Sequence, residues 1–345
     1  MMIYIVLLLL LLLNAYNVSS INSISNNILD DINNKVYGIN VKFPYKNELL
    51  LEYVYQIPPS KAIKGVVFLA HGCSHSGTDW FDKDEIGCPA CIGLPVEKTI
   101  VTKALKNDYV VIAMTSTNRK HKCWSHVDIE PSSYVLKDLF NKLYTTNILP
   151  KNTMVPIHLL GASSGGSYVG MMAMNMARYG FKISSICVQI MVLRGENPSS
   201  KLHSPLPPTL YIHMIKDEHI SSLIHDSIVR LQHEKIPVEE LQIKSKAITS
   251  TFFYDHGKVL SLEDSKKLHF ALIENQYIDK TSHELLNDPR QSDWRTIVFK
   301  TLPSNEDKLI ADLSPISELF NVAYAQHEIT DEYLNETFDF FKKYT

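Results

Sequence analysis

A serine stands between two glycines in Gly161-Ala-Ser163-Ser-Gly165, a G-x-S-x-G pentapeptide. An apolar run, Val155–Leu160, leads into it, and a helical pattern from Gly165 to Tyr179 leads out. A strand that turns this sharply into a helix holds the turn residue in strained backbone and needs neighbours too small to clash. The alcohol then projects from the edge of the sheet, and the helix N-terminus behind it favours negative charge. Those are the needs of a nucleophile in acyl transfer. Serine and glycine also share ordinary turns, but an ordinary turn does not call for the strand before and the helix after. Ser164 is the neighbouring alternative, and it lacks the symmetric glycine spacing.

A nucleophile presented in this way needs a sheet behind it, and the chain supplies one. Near-continuous apolar runs at Gly65–Ala70, Tyr109–Met114, Val155–Leu160, Ile183–Leu193 and Thr209–Met214 suit parallel strands covered on both faces. Val238–Ala247 is a last strand candidate, and two earlier extended runs, Val36–Phe43 and Leu49–Gln56, flank a turn near Lys46 and Asn47. Helical patterns at Glu97–Lys106, Ser132–Leu143 and Gly165–Tyr179 fall between the strands. This alternation predicts a doubly wound, mostly parallel α/β sheet. From Phe252 to about Ser314 the alternation stops in a polar, mainly helical stretch, whose best helix is Leu262–Asn275 with Ser261 as N-cap. Asp331–Tyr344 reads as an amphipathic helix with Leu334, Phe338 and Phe341 on one face.

The pentapeptide, its strand and the runs before it resemble the α/β-hydrolase superfamily, from about Val36 to Thr345. Three segments resemble more closely a poorly characterised eukaryotic branch known mainly from plants: Ala70-His-Gly-Cys73, Gly87-Cys-Pro-Ala-Cys-Ile-Gly-Leu-Pro95 and Lys122-Cys-Trp124. That branch brings no known substrate. The superfamily resemblance implies an α/β-hydrolase fold with site residues in the order serine, acid, histidine. Two backbone amides should face the oxyanion, one on Ser164 and one on Cys73 in the His-Gly turn after the third strand, with His71 bracing that turn. Cysteine at the donor position departs from the commoner glycine or large apolar residue. The acid should follow the strand Thr209–Met214, which points to Asp217; Glu218 is its competitor, and an N-cap before His219–Arg230 is the plainer role for Asp217. The base should precede the final helix, which points to His327 in Ala325-Gln-His-Glu-Ile-Thr330. His327 lies 110 residues beyond Asp217, so residues 248–320 read as a helical insertion before the final helix, either capping the site or packing beside it. His256, near the start of that insertion, is the runner-up base and is expected to line the mouth of the pocket.

Composition sets the outer limits. The 345 residues, 45% hydrophobic and 21% charged, are ordinary for a globular chain with a large core. A net charge of −3 offers no basic footprint for nucleic acid. Ile3–Leu13 is an unbroken apolar run, too short at 11 residues for a bilayer of about 30 Å. It suits the apolar region of a secretory signal peptide cleaved after Ser20, although no Lys or Arg precedes it; an uncleaved anchor is the alternative. The expected organisation is therefore a leader over 1–20 and one α/β-hydrolase domain over 21–345, with no membrane insertion once the leader is lost. An exported chain should pair some of its five cysteines and carry a glycan at Asn335-Glu-Thr337 if that helix face is exposed. Cys88 and Cys91 form a C-x-x-C without a second such pair to complete a zinc site, and they sit in a Gly/Pro-containing loop where a redox motif is out of place. Structural disulfides in that region are the expectation, with the partners left open, and Cys187 reads as core.

Together these readings predict a secreted serine hydrolase acting on a small-molecule or lipid-like acyl ester, with no metal or organic cofactor. A serine peptidase and a non-catalytic binding protein on the same fold are the alternatives. A redox or metal module built on Cys88 and Cys91 would leave the glycines around Ser163 without a purpose. Oligomeric state has no signature in the sequence.

Overall fold

Eight strands align in one sheet, in the order β1-β2-β4-β3-β5-β6-β7-β8. They are β1 (Ile39–Tyr45), β2 (Leu49–Gln56), β3 (Gly65–Ala70), β4 (Tyr109–Thr115), β5 (Ile157–Ala162), β6 (Ile183–Gln189), β7 (Thr209–Met214) and β8 (Val238–Ile243). The computed structural model describes residues 35–46, 49–193, 205–303 and 314–345. The predicted leader and its cleavage site lie outside the described residues. All eight strands belong to one compact unit, Tyr37–Thr345. β1 and β2 pair antiparallel, as do β2 and β4, while each remaining pair from β4 to β8 is parallel. This is the α/β-hydrolase fold.

The continuous apolar runs become the strands covered on both faces: every residue of β3, β4, β5 and β7 is buried. Alternate residues face opposite layers. One layer is built from α2 (Ile129–Thr145), α3 (Ser164–Asn175) and α4 (Glu218–His233), whose Leu136, Tyr168 and Ile224 join Phe68, Ile112, Leu159 and Tyr211 of the sheet in one cluster. On the opposite face α1 (Pro95–Lys106) packs with α9 (Leu334–Lys343), and Phe341 of α9 stacks on His158 of β5 at 4.7 Å.

Several boundaries differ from the sequence expectation for identifiable reasons. The run Ile183–Leu193 stops being strand at Gln189, because Ile190 has φ 48° and turns the chain out of the sheet. The helix after Ser163 tightens to a 3₁₀ turn over Met176–Tyr179 and ends at Gly180, whose φ of 88° suits a residue without Cβ. β1 extends to Tyr45, two residues past the expected end, by pairing in register with Leu49.

Between β8 and the final helix lie α5 (Phe252–Asp255), α6 (Leu262–Glu274), α7 (Trp294–Thr301) and α8 (Pro315–Tyr324). Their inward side chains, including Phe253, Leu268, Trp294, Val298 and Phe320, form a hydrophobic cluster of their own. Ser261 caps α6 by accepting from Asp264 N–H at 3.0 Å, as the sequence predicts.

Candidate active site

Ser163 stands one residue past β5, with φ 53° and ψ −120°, a conformation that L-residues hold only when the surroundings fix it. Those surroundings are the two glycines. A Cβ on Gly161 would lie 2.3 Å from Gly165 O, and one on Gly165 would lie 2.1 Å from Ala70 O. Ser163 N–H donates to Gln189 O at 3.1 Å, and Ser163 O accepts from Ser167 N–H at 3.1 Å, tying the turn to β6 on one side and to α3 on the other.

The fold brings together Ser163, Asp217 and His327. Ser163 Oγ lies 3.0 Å from His327 Nε2, and His327 Nδ1 lies 2.6 Å from Asp217 Oδ2. The carboxylate can only accept, so Nδ1 carries the ring proton and Nε2 is left to accept from the serine alcohol. Asp217 has a contact on each side: Oδ1 accepts from Ile220 N–H at 3.3 Å as the cap of α4, while Oδ2 faces His327. Glu218, the competing acid, is exposed in the first turn of α4. Ser164, the competing serine, takes a 3.4 Å bond from Trp124 N–H.

His256 does not line the mouth of the pocket as expected. The short α5 turns its ring back on the chain, with Nδ1 2.8 Å from Phe252 O and the ring 4.3 Å from that of Phe252.

The turn after β3 lies against Ser163, since a Cβ on Gly72 would stand 3.7 Å from Ser163 Cβ. His71 braces it: Nδ1 donates to Gly72 O at 2.6 Å, and Nε2 accepts from Ser116 N–H at 3.1 Å. Burial lowers the His71 pKa to about 4, so the ring is neutral and can play both parts. Cys73 follows, exposed, in a disulfide with Cys123, and the next residue, Trp124, donates from its indole to His71 O at 2.9 Å. The amides of Cys73 and Ser164 therefore belong to a turn fastened by a covalent bond and to the first turn of α3, where a helix leaves its amides without internal partners. Cys88 and Cys91 form a second disulfide, and Cys187 is buried and free, its thiol pushed up in pKa by burial.

A cavity of about 310 Å³ opens over Ser163, and half its wall was not anticipated from the sequence. His75, Glu97, Arg290, Asn321 and Glu328 line it together with Ser163 and His327. Burial opposes charge on His75, but the 3.1 Å contact with Asp79 and the charges of Glu97 and Glu328 outweigh it and raise its pKa to about 9. Glu97 meets Glu318 of α8, and burial raises both carboxyls. Glu318 is raised further by the negative charge of Glu97 beside it. A second unanticipated group is Gln189. Its side-chain amide donates to Thr330 O and accepts from Thr330 N–H, both at 2.9 Å, while its main-chain carbonyl holds Ser163. A polar residue ending an apolar strand at the carboxyl edge was the available signal for it; Glu97 offered none, since an acid in a first helical turn is ordinary.

No family model matches the chain, and no curated protein matches it. Solved structures are similar to the chain at low identity. An arylesterase has a TM-score of 0.40 and 13% identity, covering 63% of this chain and 81% of its own. An esterase from Thermogutta terrifontis, solved with butyrate bound, has a TM-score of 0.43 and 12% identity, covering 71% and 96%. An α/β serine hydrolase without a lid from Xanthomonas campestris has a TM-score of 0.37 and 12% identity, covering 61% and 84%. The narrower resemblance to a plant-known branch gains no support from these comparisons.

Proposed function

We propose that this chain is a serine hydrolase that cleaves a small acyl ester through Ser163, His327 and Asp217. One observation carries the reading: a serine alcohol 3.0 Å from an imidazole whose other nitrogen is 2.6 Å from a carboxylate, three groups drawn together from 164 and 110 residues apart. His327 Nε2 takes the proton as Ser163 Oγ bonds to the acyl carbon, and Asp217 steadies the imidazolium that forms. The carbonyl oxygen gains its charge beside the Cys73 and Ser164 amides. His327 then gives the proton to the departing alkoxide, and a water molecule repeats the sequence to release the acid. A cavity of about 310 Å³ walled partly by charged groups suits a short or polar acyl ester better than a long lipid chain.

Secretion is part of the same proposal. Two disulfides are at home in an oxidising compartment, and among the described residues no helix is long and apolar enough to cross a membrane.

The test is labelling with a fluorophosphonate and turnover of p-nitrophenyl acetate. Ser163→Ala should lose both while keeping the wild-type melting temperature; removing such a nucleophile costs on the order of 10⁴-fold or more. Undiminished turnover in that variant refutes the reading.

A further inference from the structure

His327 is held in its working position from outside the hydrolase core. The loop that carries it leaves α8 at Ala325 with φ 62° and passes through His327 itself at φ 45°, two left-handed residues that both carry a Cβ. Such residues persist where other contacts fix them. Ala325 is fixed as the C-cap of α8, its N–H donating to Asn321 O at 3.1 Å and Val322 O at 3.2 Å, and beyond it the carbonyls of the loop meet a guanidinium. Arg290 Nη1 donates to Gln326 O at 2.7 Å, and Nη2 donates to His327 O at 2.8 Å and to Glu328 Oε2 at 3.0 Å. Two successive carbonyls can converge on one planar fork only while the peptide between them keeps that twisted geometry. Glu328 is held in turn, accepting from Asn321 Nδ2 at 2.9 Å and from Ile329 N–H at 3.1 Å.

Arg290 is itself presented rigidly. It sits in a 3₁₀ turn, Pro289–Gln291, opened by Asp288, whose Oδ1 accepts from Arg290 N–H at 2.9 Å. Pro289 is buried, and its carbonyl accepts from the Trp294 indole at 3.1 Å. Trp294 in turn packs on Phe320 of α8 at 4.9 Å between ring centres. The stretch between β8 and the final helix thus builds its own core and uses that core to aim one guanidinium at the histidine loop.

We propose that Arg290 is a positioning residue for the base, acting through the backbone of Gln326 and His327 to keep Nε2 pointed at Ser163. This rests on the serine-hydrolase reading. Its corollary is that the inserted helices supply part of the catalytic apparatus.

The test uses the full chain with p-nitrophenyl acetate and compares Arg290→Ala, Arg290→Lys and Ser163→Ala. Arg290→Ala should lose roughly 10- to 100-fold in kcat, as expected for a base misplaced by about 1 Å, with KM little changed. Arg290→Lys should recover only part, since an ammonium cannot hold two carbonyls in one plane. Millimolar guanidinium should restore turnover to Arg290→Ala and leave the wild type and Ser163→Ala unaffected. Wild-type kcat in Arg290→Ala overturns the proposal. So does a loss confined to KM, which would make Arg290 a substrate contact, and so does a loss that guanidinium fails to relieve. Ser163→Ala reports separately on the hydrolase reading: if it turns over ester normally, that reading falls whatever Arg290 does.

Discussion

Replacing Gln189 by leucine isolates a second fastening of the same loop. Gln189 is fully buried at the carboxyl end of β6, and Thr330, which it brackets, is fully buried too. Leucine has nearly the same reach but no amide, so Thr330 N–H and Thr330 O would both lose their 2.9 Å partners without water to replace them. A buried polar group left unmatched costs about 1–3 kcal/mol, so two cost about 2–5 kcal/mol after partial relaxation. At about 2 °C per kcal/mol for a domain of this size, the melting temperature should fall by roughly 4–10 °C. The main-chain bond from Ser163 N–H to Gln189 O survives the substitution, so the turn carrying Ser163 is undisturbed. Any loss of turnover must then pass through Thr330 to His327, three residues earlier. Because Arg290 and Asp217 still hold that histidine, the loss in kcat should be modest, roughly tenfold. Thermal denaturation and ester turnover on the same preparations decide it. A leucine variant with wild-type melting and wild-type kcat would show that the bracket neither stabilises the fold nor orders the loop.

The Cys73–Cys123 bond fastens the turn that carries the Cys73 amide, which we propose faces the oxyanion. The paired change Cys73→Ser with Cys123→Ser should therefore lower kcat by about tenfold, less than the 10²–10³ lost when such a donor is deleted outright. Cys88→Ser with Cys91→Ser should leave kcat unchanged, and wild-type activity that is indifferent to dithiothreitol would contradict this reading. The His75–Asp79 pair predicts a pH dependence of stability. The folded His75 pKa, about 9, lies above the ordinary 6.5, so its contribution is complete below 6.5 and is lost as pH rises through about 9. Asp79 is lowered, although burial works against this, because its bond to His75 prevails; its share is present above 3.8 and is lost as pH falls. Asp79→Asn should flatten the alkaline loss, at most about 3 kcal/mol, when urea midpoints are compared across that range. The Glu97–Glu318 pair tilts stability in the same direction from the ordinary carboxyl value of 4.5 upward, and Glu318→Gln separates its share.

The parts of this molecule that were legible in its sequence are those set by short-range rules. Strand runs, helix patterns and the Ser261 cap could be read because burial on two faces and a first-turn hydrogen bond leave residue-type signatures. Ser163 could be read because only glycine fits at 161 and 165, where a Cβ would fall within 2.3 Å of backbone. Asp217 followed from counting strands, and His327 from the amphipathic helix after it. The fittings that converge on the site from distant segments were not legible. Arg290 has no local pattern that sets it apart from a solvated arginine, and the Glu97–Glu318 pair joins residues 221 apart. His256 was misplaced because nothing in Phe253-Tyr-Asp-His-Gly257 reveals that a four-residue helix folds the ring back onto Phe252.

That division follows from how each group is held. Ser163 is one residue past a strand paired on both sides, and Asp217 is three residues past another, so sheet register alone places them to within a turn. His327 has no such strand. It comes 110 residues after Asp217, on a loop with left-handed backbone, and side chains from distant segments hold it: Asp217 at the ring, Arg290 at the carbonyls and Gln189 three residues on. An insertion that merely roofed the pocket could be shortened with a change in substrate range and little loss of chemistry. On the proposed reading, cutting away one that carries Arg290 on a turn braced by Trp294 would unfasten the His327 loop, and the length of chain between Asp217 and His327 would then be part of how the histidine is aimed.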